Sequence, residues 1–390
     1  MFFPGFLFAL ILLSYILLIL AFLYAWKKLP SFEPNSVQKE SLKKQCTIRI
    51  SVIVAVRNEE NNIENILQDL IQQSYPSSYF EIIFVNDHST DQTVKLIENH
   101  IPENKNISLI HLDYNLSGKK DAISTGIKYA KGELILTSDA DCRIDENHLI
   151  TLAGFYEKYK PEMIIAPVVI KSGDTIFEKF QSLEFLSLIA STAGAVALNR
   201  PVMCNGANLA YRRETFLKHS DALNRKFASG DDVLFMLKIK KDKKKNRQER
   251  KSIYFLKSNK ATVSTKAQTN IKNFVQQRKR WTSKSSAYHD FDIILTAIIV
   301  FLINLSLLIS FFGMFFNKLF LASFLIIFIS KSLIDFIFLL SINSFFKTKG
   351  TEKPILQLFP LMQFVYFFYV CFIAIIGNIG NYSWKGRKLK

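Results

Sequence analysis

Asp139 and Asp141 in "LTSDADC" close an apolar run in a chain whose formal charge is +17. Like charges at this spacing repel, and burying either is costly unless a cation or a hydrogen-bond donor offsets it. In an extended segment residues i and i+2 point the same way, so the pair can face one cation, and carboxylates are hard ligands suited to Mg2+ or Mn2+. Taken alone, a D-x-D is equally at home in a solvated turn. Asp87 in "FVNDHSTD" can either accept a hydrogen bond from a nucleobase imide or cap a following helix. Asp231 and Asp232 in "ASGDDVLFMLKI" open an amphipathic stretch, where the helix dipole also favours aspartates. Gln277, Arg280 and Trp281 in "QQRKRW" combine donors, positive charge and an aromatic face close to a hydrophobic boundary. An interfacial Trp with a snorkelling Arg would have the same composition.

These residues recur at the ends of regular elements. "IRISVIVAVRN" (48–58) is a β-branched run ending in a polar turn, and the segment after it carries Ile63, Ile66, Leu67, Leu70 and Ile71 at helical spacing. "FEIIFVNDHS" (80–89) repeats the strand pattern, with Ser89 and Gln92 spaced as a capping box for the next helix. "NISLIHL" (106–112) predicts a third strand, "KKDAISTGIKYA" a helix stopping near Gly132, and "ELILTSDADC" a fourth strand. Alternating strands and helices predict a doubly wound α/β sheet, mainly parallel, which binds ligands beyond the carboxyl ends of its strands. Asn58, Asp87 and Asp139 fall at those ends. There is no GxGxxG after the first strand and no GxxxxGK[ST], so neither a dinucleotide fold nor a P-loop is supported.

Hydropathy divides the chain. Residues 2–25 carry no charge and are long enough to cross a bilayer, and apolar stretches return near 291–315, 319–343 and 355–379. A cleaved signal peptide is disfavoured, since no basic stretch precedes residues 2–25 and no small-residue cleavage pattern follows. The expected organisation is an anchor over 1–28, a catalytic domain over 29–288 and a C-terminal membrane region over 289–390. Lys27 and Lys28 place the central domain in the cytoplasm by the positive-inside rule. Three C-terminal crossings would then put the basic tail "WKGRKLK" outside, against the same rule, unless one segment lies along the interface or turns back. Lys331 and Asp335, four residues apart in an apolar stretch, share a helical face and can pair. The basic run 238–251 lacks interleaved aromatics, which argues for membrane lipids or solvent as its partner and against nucleic acid. Cys46, Cys142, Cys204 and Cys371 have no metal-type spacing and imply no disulfide framework.

In order along the chain, "VAVRNEENNI", "VNDHSTDQT", "SDADC", "NGANLAYRRETF", "SGDDVLF" and "QQRKRW" resemble the membrane-anchored, processive-type branch of glycosyltransferase family 2. That group includes cellulose, chitin and hyaluronan synthases and smaller lipid glycosyltransferases. The resemblance implies a GT-A fold and a nucleotide-diphosphate sugar as donor. By motif, Asp87 corresponds to the residue that contacts the base, with Arg57, Asn58 and Glu59 beside it, and Lys119 or Lys120 to a lysine near the donor. Asp139 and Asp141 match the metal and diphosphate motif, Asp232 the general base that ends a Glu-Asp pair, and Gln277, Arg280 and Trp281 the Q-x-x-R-W signature. The chain departs at Val56-Arg57, where a proline is common, at His88, where a glycine is common, and at Asp231, which replaces the glutamate. The last departure leaves open whether Asp231 or Asp232 is the base.

The implied reaction is a single inverting displacement at the anomeric carbon, with Asp232 accepting the acceptor's proton and Mg2+ or Mn2+ neutralising the leaving diphosphate. So few apolar segments favour a membrane lipid or lipid-linked glycan acceptor at the cytoplasmic face of a bacterial membrane. A processive polysaccharide synthase, or a non-catalytic scaffold with a transferase-like domain, is the alternative.

Overall fold

The structure, a computed structural model, describes residues 3–44, 47–171, 173–219, 231–245, 251–284, 287–346, 355–377, 382–384 and 387–389. Cys46, residues 246–250 of the basic run and residues 385, 386 and 390 of the tail lie outside these. The described chain packs as two compact units.

The first, over 29–170 and 203–266, is built on a sheet. Strands β1 (Ile50–Val56), β2 (Phe80–Asn86), β3 (Ile107–His111), β4 (Leu134–Asp139), β5 (Met163–Ile165), β7 (Asn208–Arg212) and β8 (Ile253–Phe255) lie in the order β3-β2-β1-β4-β7-β5-β8. The four strands expected from alternation form its parallel half, with β1 paired to both β2 and β4. β7 runs antiparallel between β4 and β5, so the sheet is mixed. A small parallel pair joins β6 (Val168–Ile170) to β9 (Val263–Thr265). Helices α2 (Ser36–Lys44), α3 (Ile63–Ile71), α4 (Thr93–His100), α5 (Lys119–Tyr129), α6 (His148–Tyr159), α8 (Arg213–Lys218) and α9 (Asp231–Lys245) complete the unit.

The core follows from the patterns in the sequence. The apolar residues of β1, β2 and β4 are buried almost without exception, as continuous β-branched runs flanked on both faces require. Ile63, Ile66, Leu67 and Leu70 are fully buried, whereas Ile71 is 37% exposed, one position past the apolar stripe. Gly132 admits the β1 backbone: its N–H donates to Ser51 Oγ at 2.8 Å, and a Cβ there would lie 2.5 Å from Ser51 N. The expected Ser89–Gln92 capping box does not form. Helix α4 begins at Thr93, whose N–H and hydroxyl donate to Asp91 Oδ1 at 3.0 and 2.6 Å, while the Ser89 hydroxyl accepts the Asn58 N–H at 3.1 Å. The Gln92 N–H that such a box would hold donates instead to Glu60 Oε2 at 3.1 Å.

The second unit collects residues 1–28, 171–202 and 267–390. It contains α1 (Phe3–Lys28), α7 (Ile176–Ala197), α10 (Ile271–Thr282), α11 (Phe291–Gly313), α12 (Lys318–Phe346), α13 (Phe359–Ile376) and a hairpin, β10 (Tyr382–Trp384) with β11 (Arg387–Leu389). Five of its helices are long and apolar enough to cross a membrane, among them α7, which hydropathy did not single out because Glu178, Lys179, Gln181 and Glu184 interrupt it. Helix α7 packs on α1, where a Cβ on Gly194 would sit 2.7 Å from the Phe22 Cβ. A genuine capping box, Thr175 with Glu178, starts it.

Candidate active site

The ends of β1, β2 and β4 and the head of α5 meet in the sheet unit. Asp87, one residue past β2, is buried; its Oδ2 accepts the Gly118 N–H at 3.0 Å and its Oδ1 lies 3.9 Å from Arg57 Nη1. Gly118 has φ of 95°, a conformation glycine adopts without strain, which aims its N–H at this carboxylate. Arg57 also donates to the Asp87 carbonyl at 2.7 Å, locking the β1 and β2 loops together. His88 has φ of 56°, which explains the glycine common at this position; here the ring, with Nε2 3.0 Å from the Leu116 carbonyl oxygen, holds the strained residue. Asn58, also left-handed at φ 50°, accepts the Thr90 N–H on Oδ1 at 2.9 Å.

The two residues after Gly118 reach the other acidic motifs. Lys119 pairs with Asp139 Oδ1, and Lys120 lies 3.3 Å from Asp231 Oδ1. Asp232 lies beside its paired neighbour but differs in its bonds: Oδ2 accepts the Gly206 N–H at 3.0 Å and Oδ1 the Val233 N–H at 2.9 Å. Thus Asp87, Asp139 and Asp231 are each held by one of three successive residues at the start of α5, with Lys119 Nζ and Asp232 Oδ2 both beside Gly206. The sequence singled out Lys119 and Lys120 by resemblance alone. That both are engaged, each with a different carboxylate, emerges only from the fold.

The aspartate pair is not extended. β4 ends at Asp139, whose carbonyl accepts the Cys142 N–H at 3.2 Å, so Asp139 and Asp141 sit on a turn. Arg143 pins that turn: it pairs with Asp69 through Nε and Nη2 at 2.7 and 2.8 Å, and its backbone bridges to Ser264. Thr265 donates to Asp141 Oδ2 at 3.2 Å. Burial raises the Asp141 pKa, and the neighbouring Asp139 and Glu59 raise it further. Burial likewise pushes the Cys142 thiol well up, so it stays protonated. Arg143, Thr265 and Glu59's influence on Asp141 had no spacing signal, because each acts across the fold. Among the described residues no group of three or more His, Cys, Asp or Glu side chains forms a ready metal cage. A cation here would need ligands from a bound diphosphate, and two clustered carboxylates in a negative environment suit a hard divalent ion.

Gln277, Arg280 and Trp281 lie on α10, in the helical unit. The side chain most firmly fixed there is the unpredicted Arg278. Its Nη2 donates to Glu184 Oε2 at 2.6 Å, its Nη1 to Gln277 Oε1 at 2.7 Å and its Nε to the Tyr369 hydroxyl at 3.0 Å. The guanidinium stacks on Trp281 at 4.2 Å and Phe274 at 4.5 Å, so two of the three signature residues contact it.

A doubly wound mixed sheet with acidic motifs gathered at its strand ends and lysines facing them defines the class, an α/β domain. Residues 51–220 match glycosyl transferase family 2, and the chain carries a family 2 glycosyltransferase domain of GT-A fold. It is 28% identical over 194 residues, 49% of this chain and 32% of the relative, to the poly(ribitol-phosphate) beta-N-acetylglucosaminyltransferase TarS of Staphylococcus aureus. It is 31% identical over 159 residues, 38% of this chain and 36% of the relative, to the poly-beta-1,6-N-acetyl-D-glucosamine synthase of Staphylococcus epidermidis. The chain thus spans about a third of the length of these curated relatives. The solved mannosyltransferase PcManGT of Pyrobaculum calidifontis, in complex with GDP-Man and Mn2+, shares the fold over 96% of this chain and 97% of its own, with a TM-score of 0.56 at 17% identity.

Proposed function

We propose that this protein is an inverting glycosyltransferase that moves a sugar from a nucleotide-diphosphate donor to a membrane lipid or lipid-linked glycan at the cytoplasmic face of a bacterial membrane. The observation that carries it is the segment Gly118–Lys120, which ties the base-side Asp87, the D-x-D residue Asp139 and the Asp231–Asp232 pair into one site. Relatives named as a beta-N-acetylglucosaminyltransferase and a poly-N-acetylglucosamine synthase support the donor class.

In this reading Asp87, with Arg57, Asn58 and Glu59 on the adjoining loop, receives the base. Asp139 and Asp141 would hold Mg2+ or Mn2+, which when bound offsets the charge growing on the departing diphosphate. Lys119 and Lys120 add fixed positive charge on the same side. Asp232 takes the proton from the acceptor hydroxyl as that oxygen attacks the anomeric carbon. The two backbone N–H donors at Asp232 hold its carboxylate oriented. Asp231, already paired with Lys120, is the weaker candidate for the base. Gln277, Arg280 and Trp281 are assigned to the acceptor and diphosphate side.

The helical unit bears on topology. A Cβ on Gly377, just past α13, would meet Thr282 Cγ2 at 2.5 Å, so the end of α13 abuts the end of α10, which precedes α11. Three complete crossings between those points would separate them by a bilayer. The contact supports two crossings and a third apolar helix that turns back, with the basic tail on the side of Lys27 and Lys28. Incubating the purified protein with radiolabelled nucleotide sugars and membrane lipid extract tests the proposal: one sugar per organic-extractable acceptor is expected. A long water-soluble polymer would instead identify a processive synthase, and hydrolysis or transfer from no donor would leave a scaffold.

A further inference from the structure

The site holds two lysine–carboxylate pairs that differ in accessibility. Lys120 and Asp231 are 10% and 20% exposed, whereas Lys119 and Asp139 are 34% and 39% exposed. A pair so open to solvent is weak and exchanges readily. Its carboxylate is also one of the two assigned to the cation, and the Lys119 charge acts on the other, Asp141, opposite in sign to Asp139 and Glu59. We propose that Lys119 is a displaceable counter-ion that occupies the cation position at Asp139 until a divalent metal arrives with the donor. Resting on the function proposed above, this gives the metal and the nucleotide a common requirement. The metal must take Asp139 from the ammonium, and a bound diphosphate offers the released ammonium a doubly charged new partner. Metal and nucleotide diphosphate therefore bind with positive coupling, and the coupling is reciprocal. The exchange is purely ionic: one ammonium leaves a carboxylate oxygen, one divalent ion replaces it, and no proton moves.

The test is Mn2+ binding to the full-length protein in nanodiscs, followed by electron paramagnetic resonance of free Mn2+, with and without UDP or GDP. Wild type should bind Mn2+ weakly alone and more tightly with the nucleotide. Lys119→Gln removes both the competitor and a repelling charge, so it should tighten nucleotide-free Mn2+ binding about tenfold while reducing the gain from nucleotide. Lys119→Arg keeps the charge and should behave as wild type. Lys120→Gln, which alters the neighbouring charge without freeing Asp139, should change nucleotide-free binding by less than about threefold. Unchanged or weaker nucleotide-free binding in Lys119→Gln, beside wild-type protein that still shows nucleotide-dependent Mn2+ binding, overturns the counter-ion role alone. Equal tightening by Lys120→Gln also overturns it, since the effect would then be general charge. If wild type binds no Mn2+ even with nucleotide, the metal assignment itself fails and this proposal with it.

Discussion

The sheet unit and the helical unit each bury acidic and basic side chains, and they treat them differently. In the helical unit two buried charge clusters are densely hydrogen-bonded. Arg278 and Glu184 are 3% and 7% exposed, and Tyr369 donates to Glu184 Oε1 at 3.1 Å while accepting from Arg278. Lys331 donates to Asp335 Oδ2 at 2.7 Å and to Gln363 Oε1 at 3.2 Å, Gln363 donates to Asp335 Oδ2 at 2.5 Å, and Tyr15 donates to Asp335 Oδ1 at 2.6 Å. One such cluster joins α7, α10 and α13, and the other joins α1, α12 and α13. In the sheet unit Asp139 is half open, held by a lysine that solvent reaches, and Asp141 is crowded by like charge. A buried charge held by several partners from different helices fixes those helices in one arrangement. A charge left with capacity to spare can accept a ligand.

This contrast predicts where substitutions will be felt. The largest loss should come from Asp232→Asn, which is expected to lower turnover by about 10²–10⁴-fold with a melting temperature within about 2 °C of wild type. Thermal unfolding in detergent beside a transfer assay checks both halves, and normal turnover would move the base elsewhere. Glu184→Gln should do the reverse, destabilising by about 3–5 kcal/mol because it leaves the Arg278 guanidinium buried and unpaired, while Glu184→Leu with Arg278→Met should recover much of that loss. An unaltered melting temperature together with abolished transfer would break the comparison, since it would place the pair in the chemistry. Asp87→Ala should raise the donor KM about tenfold and lower kcat less, as loss of a ground-state contact does. Equal losses in kcat and kcat/KM would instead place Asp87 in the transition state. The smallest effect belongs to Tyr15→Phe, which removes one hydrogen bond to Asp335 and should cost about 1 kcal/mol of stability with turnover unchanged.

Much of the sheet unit was legible because its information is local. The burial of β1, β2 and β4 follows from β-branched runs, the stripe at Ile63, Ile66, Leu67 and Leu70 from helical period, and the strand-end positions of Asn58, Asp87 and Asp139 from where those runs stop. Ile71 failed because a periodic stripe has a finite width, and the capping box at Ser89 failed because Glu60, from the neighbouring loop, accepts the Gln92 N–H while Ser89 accepts from Asn58. Pairing of Lys331 with Asp335 was visible as i, i+4 spacing, but Tyr15 and Gln363, which complete that cluster, lie 320 and 28 residues away.

The sequence by itself determined the residue types: carboxylates at strand ends, two adjacent lysines, an arginine and a tryptophan on one helix, and the apolar stretches that mark candidate spans. Those depend on composition and short periods, which a linear pattern records. The tertiary structure decided which carboxylate each lysine holds, that the D-x-D lies on a turn pinned by Arg143, that Arg278 rather than its signature neighbours is locked by Glu184, and that α7 packs on α1. Each of these joins residues far apart in the chain, and contacts of that kind are set by the closing of the fold, not by spacing along it.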